Sequence, residues 1–276
     1  MNSKGFVIFA EGEQYLKQAY LCALSLQATK NSFPVSVVTN QSINYKHKQV
    51  FDKIIEIPWY TQAKSNLKSE NRWKIYHATP YNETIVLDSD VLVLQNLDYL
   101  WKSFSNYKIY FPIRVFTYRY ESVTSDYCRK VFSANNLPNF YNCLHYFQKS
   151  DFAKEFFAWV ELITNNWELF YGHYCSQYYP KEPSMDVTTA IAAKILDCDN
   201  NISNNFSDIV QIVHMKSQIQ NWNTLSSRWQ DRVGVYLNEE AQLKIGNFQQ
   251  NTVFHYTEND FLTEDKIRKY EQCLKI

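Results

Sequence analysis

Apolar and polar positions follow two rhythms along this chain, and the change from one to the other marks the elements. Gly5-Phe6-Val7-Ile8-Phe9-Ala10 is a short unbroken apolar run, the pattern of a fully buried strand. The acidic turn Glu11-Gly12-Glu13-Gln14 suits a helix start, and the next apolar residues, Leu16, Ala19, Tyr20, Ala23, Leu24 and Leu26, fall at mostly helical spacing. Residues 33–39 predict a second strand and 53–57 a third. Strand, helix and strand at this spacing predict right-handed crossovers and a parallel sheet.

Further along, 72–79 reads as helical and 80–83 as a turn. Thr84-Ile85-Val86-Leu87 is a β-branched run that ends directly in Asp88-Ser89-Asp90. A second apolar run, 91–94, follows, then a short helix from 97 and one or two strands within 107–116. Amphipathic helices are expected over 151–165 and 187–196. A late strand over 209–213 delivers His214, another strand is expected over 252–256, and a charged helix runs from Thr263. No repeat, low-complexity tract or Pro/Ser-rich linker divides the chain. The pattern predicts an α/β fold, with residues 1–235 as the main domain and 236–276 as a C-terminal extension packed on it.

Composition narrows the partners. Of the 276 residues, 28 are Lys or Arg and 28 Asp or Glu, so no global field draws in nucleic acid or an anionic membrane. The six cysteines are scattered without zinc-type spacing, which reads as reduced thiols in a cytoplasmic protein. The apolar stretch from Phe6 to Ala10 is short for a secretory signal, and no run approaches the roughly 20 apolar residues of a membrane span. Aromatic residues make up 17% of the chain; such rings fill cores, and flanked by polar groups they also suit carbohydrate faces.

The chemistry concentrates at Asp88-Ser89-Asp90. Two aspartates one residue apart at the end of a buried strand repel each other unless a cation or basic group compensates. Open parallel sheets bind ligands at that edge. A hard ion such as Mn²⁺ or Mg²⁺ takes oxygen ligands, leaves positions for phosphate oxygens and offsets charge on a departing diphosphate. As a bare tripeptide the motif is also a polar loop; the apolar runs on both sides favour the ion.

From Tyr81 to Trp101, through Leu87-Asp88-Ser89-Asp90 and Asp98-Tyr99-Leu100-Trp101, the sequence resembles glycosyltransferase family 8, the glycogenin and lipopolysaccharide-galactosyltransferase type. The resemblance implies a GT-A fold, Rossmann-like with a mostly parallel sheet. It also implies transfer of a hexose from a UDP-sugar to a saccharide or other acceptor hydroxyl, with retention, dependent on Mn²⁺ or Mg²⁺. His214 and Trp222 keep the eight-residue spacing of that family's His-x-x-Gly-x-x-Lys-Pro-Trp segment, which makes His214 the third metal ligand beside Asp88 and Asp90. Ser217, Gln220 and Asn221 depart from that segment, and Lys216 stands in for its missing positive charge. The resemblance further assigns Ala10 and Tyr15 to the nucleotide cradle, Arg72, Ser89 and Trp222 to the donor, and Asn142 and Asp186 to the transferred sugar. Val187 stands where the family has Gln.

Read from their positions alone, several of these residues keep a plainer role. Arg72 is then an exposed helical arginine, Asn142 a turn residue and Asp186 an N-cap. Tyr15 packs a helix face, and His214 is a core histidine at a strand end. Two other functions stay open: a transferase acting on a modified nucleic-acid base, which the charge balance disfavours, and a nucleotide-sugar binding protein weakened in catalysis. The oligomeric state is not read from the sequence.

Overall fold

The computed structural model describes residues 4–123, 129–204, 208–217 and 228–276. In chain order the first strands are β1 (Lys4–Ala10), β2 (Val35–Thr39), β3 (Lys53–Glu56), β4 (Glu83–Leu87), β5 (Val91–Val93), β6 (Ile109–Tyr110) and β7 (Leu144–Gln148). All but β5 join one sheet in the order β3-β2-β1-β4-β7-β6. β1 pairs in parallel with β2 and β4, and β2 with β3, whereas β7 runs antiparallel to its neighbours β4 and β6. The expected parallel sheet is therefore present, with β7 as its reversed strand.

The helices are α1 (Glu13–Ala28), α2 (Tyr45–Val50), α3 (Ile75–Ala78), α4 (Tyr99–Phe104), α5 (Lys130–Ala134), α6 (Asp151–Asn165), α7 (Trp167–Tyr174), α8 (Met185–Ile195) and α9 (Glu264–Leu274). They cover both faces of the sheet, which explains the unbroken apolar run of β1. Phe6, Ile8 and Ala10 join one core with α1, while Val7 and Phe9 point to a second core with α6 and α8. Fully burying each such Val, Ile or Phe contributes about 1.5–3 kcal/mol. Gly5 marks a close approach: a Cβ there would lie 2.4 Å from the ring of Tyr81. That ring is buried and held by a 2.6 Å hydrogen bond between its hydroxyl and Ser36.

Two smaller sheets use the rest of the chain. The remaining strands are β8 (Ile212–His214), β9 (Val235–Leu237), β10 (Leu243–Ile245), β11 (Phe248–Gln250) and β12 (Val253–His255). β9, β10 and β11 form an antiparallel meander. β12 sits between β5, antiparallel, and β8, parallel, with His255 opposite both Val91 and His214. A strand from near the end of the chain is thus the middle member of a sheet whose other strands, β5 and β8, lie at residues 91–93 and 212–214. Helix α9 packs on α1, and Lys17 and Tyr20 of α1 bond Glu264 and Glu271.

Several expectations change in detail. The strands foreseen over 107–116 reduce to β6 and isolated bridges from Phe116, because Pro112 lacks the N–H a ladder needs. The helix foreseen from Val187 begins at Met185, with Ser184 as its cap position, so Asp186 lies in the first turn and is not the N-cap. β7, α7 and the meander have no counterpart in the pattern reading. No helix among the described residues is long and apolar enough to cross a membrane.

Candidate active site

The chain passes from β3, at one edge of the sheet, back to β4 beside β1. The strand order reverses there, and the loops leaving β1 and β4 diverge to open a crevice. Glu11 and Tyr15 follow β1; Asp88, Ser89 and Asp90 follow β4. Because β7 is antiparallel to β4, its first residues meet the same edge: the Asp88 N–H donates to the Cys143 carbonyl at 2.9 Å, which brings Asn142 close. The end of β12 arrives from the other side, where the Tyr256 N–H donates to the Asp90 carbonyl at 3.2 Å. Helix α8 points its N-terminus, with Asp186, at the same space, where an acidic side chain is favoured. The resulting cavity is about 400 Å³.

Asp88, Asp90 and His255 each offer a ligand atom to one point, all within 4.8 Å of one another. Arg72 donates to Asp88, and His255 Nε2 lies 3.1 Å from Asp90 Oδ2. Burial is the largest influence on Asp88 and, with Asp90 beside it, raises its carboxyl above the usual range despite Arg72. Burial acts on Asp90 too, but His255, Lys216 and Arg72 outweigh it and hold that carboxyl low. His255 is likewise disfavoured by burial as a cation, yet Asp90 and the Cys143 thiol keep it well above the ordinary imidazole value.

A second polar cluster surrounds Asp186. One carboxylate oxygen accepts from the Asn142 N–H at 3.0 Å and from Asn142 Nδ2 at 3.1 Å, and the other from Arg129. Asn142 Nδ2 also donates to Thr189 Oγ1 at 2.9 Å. The Arg129 guanidinium lies between the rings of Phe132 and Tyr141, 4.0 and 4.1 Å from their centroids. It also donates to Asn139 and to the Phe140 carbonyl. Burial raises Asp186, but Arg129 and Asn142 together hold its carboxyl below the usual range.

A sequence model of the family described as "Mannosyltransferase putative" matches residues 3–221, most of the chain. The chain belongs to this family. Comparison with curated proteins finds no match. Among solved structures, the galactosyltransferase LgtC, in complex with donor and acceptor sugar analogues, aligns over 99% of this chain and 96% of its own at 15% identity, with a TM-score of 0.52. Mouse xyloside xylosyltransferase 1, in its apo form, aligns over 93% and 98% at 10% identity, with a TM-score of 0.51. The apo-form glycosyltransferase GlyE of Streptococcus pneumoniae TIGR4 aligns over 74% of this chain at 16% identity with a TM-score of 0.43, and the chain spans 46% of its length. The first two likenesses show the GT-A fold. Family and fold together make the chain a glycosyltransferase.

The transferase brings most of the expected residues to one place. Tyr15, Arg72, Asp88, Ser89, Asp90, Asp186, His214 and Lys216 all line the cavity. Arg72 is not a free helical arginine, since it sits in a 3₁₀ turn (Arg72–Lys74) and its guanidinium meets Asp88. Asn142 is buried and reaches the site through Asp186. Ala10 is fully buried in the core and is not among the lining residues; Phe9 and Glu11 on either side of it are. Trp222, with Gln220 and Asn221, lies outside the described residues.

The imidazole that joins the two aspartates belongs to His255, and that is the main difference from the sequence reading. His214, expected as the third ligand, lies one strand over. Its ring stands 4.7 Å from that of His255, nearly perpendicular, and burial holds its pKa well below the ordinary value. The eight-residue His–Trp spacing pointed to His214, whereas His255-Tyr256-Thr257 had only its place after an apolar run to mark it. Arg129 was also missed, whereas Glu11 falls in the segment after β1 that the resemblance assigned to the nucleotide cradle. Glu11 is buried and anchors the following loop, accepting from the Ala63 N–H and Asn71 Nδ2, both at 2.9 Å.

Proposed function

We propose that this transferase moves a hexose from a nucleoside-diphosphate sugar, a UDP-sugar, to a hydroxyl of a saccharide or other acceptor, with a divalent cation held by Asp88, Asp90 and His255. The meeting of those three side chains at the floor of the cavity carries the proposal. Two carboxylate oxygens and one imidazole nitrogen suit Mn²⁺ better than a soft metal, with Mg²⁺ as the alternative. The 3.1 Å between His255 Nε2 and Asp90 Oδ2 is close to the edge of an octahedron with bonds of about 2.1 Å. When bound, the ion would supply Lewis-acid neutralisation of the diphosphate leaving group.

The protein's own groups divide the remaining work. Arg72 and Lys216 add positive charge to the wall where a diphosphate would lie. Tyr15, half-buried at the cavity edge with its hydroxyl 3.3 Å from the Asn66 carbonyl, offers a ring for the base. Asp186 stays ionised and held in place by Arg129 and Asn142, which makes it an acceptor for sugar hydroxyls. Both of its oxygens are engaged, which argues against its serving as a nucleophile. Retention belongs to the same reading and rests on the family-8 resemblance. The free thiols of Cys22, Cys143, Cys175, Cys198 and Cys273 fit a reducing, cytoplasmic setting.

The test is turnover of a panel of UDP-hexoses, with GDP-mannose included because of the family's name, after EDTA treatment and with Mn²⁺ restored. Activity that returns only with the ion supports the proposal. Full activity in EDTA rejects the cation. Metal-dependent binding without turnover of any donor would leave a nucleotide-sugar binding protein.

A further inference from the structure

Gln18 is a fully buried glutamine on α1, a position where an unsatisfied amide would be costly. Both ends of its amide are used. Ser89, the residue between the two aspartates, donates its hydroxyl to Gln18 Oε1 at 3.2 Å. Gln18 Nε2 donates to Asn259 Oδ1 at 3.0 Å, four residues beyond His255. One side chain therefore joins the loop that carries both aspartates to the loop that follows His255. Those loops are otherwise joined near the site by the Tyr256 N–H to Asp90 carbonyl bond.

The loop after His255 also holds an unfavourable backbone conformation. Thr257, β-branched and lining the cavity, has φ of 63°, a region such residues avoid. A strained conformation persists only when its surroundings over-determine it. The surroundings here are specific: Trp229 Nε1 donates to the Tyr256 carbonyl at 2.8 Å, and the Glu258 carboxylate accepts from the Trp229 N–H at 2.7 Å and Gln230 Nε2 at 3.0 Å. Gln18 closes this frame on the side of the aspartates.

We propose that Gln18 is a positioning residue, which sets the separation between the Asp88–Asp90 pair and His255 by holding Ser89 and Asn259 on opposite ends of one amide. The proposal rests on the metal reading above. Groups outside the ligand shell that orient the ligands typically change metal affinity about 10–100-fold when removed. Gln18→Met keeps the length and fills the space without either hydrogen bond, and Ser89→Ala removes one end alone.

Calorimetric titration of Mn²⁺ into the protein saturated with UDP, well below the melting temperature, tests this. The expected result is a loss of affinity of at least about 10-fold in Gln18→Met and a smaller loss in Ser89→Ala, with the double variant no weaker than Gln18→Met. Melting temperatures recorded alongside identify a variant that has merely unfolded, and Ser89→Ala, the milder change, then carries the test. Affinity within twofold of wild type in the folded variants overturns the role of Gln18 while leaving the metal site standing. Wild-type protein that takes up no Mn²⁺ overturns both.

Discussion

Asp88, Asp90 and His255 converge in the cavity, and each has a partner that makes its loss specific: Arg72 meets Asp88, and His255 meets Asp90. Asp90 faces His255, so Asp90→Asn removes a charge without changing shape. We expect Mn²⁺ affinity in the presence of UDP to fall more than about 100-fold, beyond the outer-shell range, with the circular dichroism spectrum unchanged. Arg129 makes the opposite kind of prediction. It is 10% exposed at its side chain and Asp186 25%, so Arg129→Met strands a largely buried carboxylate. The expected cost is about 3 kcal/mol by urea denaturation, the low end for breaking a buried pair, because a quarter of Asp186 still meets solvent. Adding Asp186→Asn should recover part of that loss, since the stranded charge is then gone. A double variant as unstable as Arg129→Met would show that the stacking on Phe132 and Tyr141 matters more than the charge.

At the scale of elements, β1 and β7 fix the edge where the site forms. Gly5 admits the Tyr81 ring against β1, and Gly5→Ala places a methyl 2.4 Å from that ring. The ring cannot turn aside without losing its bond to Ser36, so we expect a loss of about 1–3 kcal/mol in chemical denaturation. β7 carries His145, whose ring is buried and stacks on Phe111 at 5.1 Å. Burial pushes its pKa down to about 3, against about 6.5 in an unfolded chain. Between those values the unfolded state binds the extra proton, so stability falls as pH drops through this window. His145→Gln should reduce the slope between pH 6.5 and 5 by up to about 1.4 kcal/mol per pH unit. An unchanged slope in the variant would mean that His145 is protonated in the folded protein. His255, shifted the other way, adds its dependence above pH 6.5 and stays out of that window.

Taken as a whole, the molecule is a GT-A sheet whose site is completed from the far end of the chain. The first half was legible because its signals are local: the apolar runs of β1, β2 and β4, the helical spacing of α1, and two aspartates at a strand tip. β7 escaped because Leu144-His145-Tyr146-Phe147-Gln148 mixes a histidine and a glutamine into an aromatic run. Its strand character comes from pairing with β4 and β6, not from alternation. His255 escaped for a related reason. Only the insertion of β12 between β5 and β8 carries it to the aspartates, and no spacing within residues 236–276 encodes that contact. His214 had the more visible motif, and it reached the same cavity one strand away from the carboxylates. The most direct measurement of the central claim is anomalous scattering from crystals grown with MnCl₂ and UDP. A single strong peak within bonding distance of Asp88, Asp90 and His255 is the predicted result. A peak ligated by His214 with His255 left out, or none near the aspartates, would contradict it.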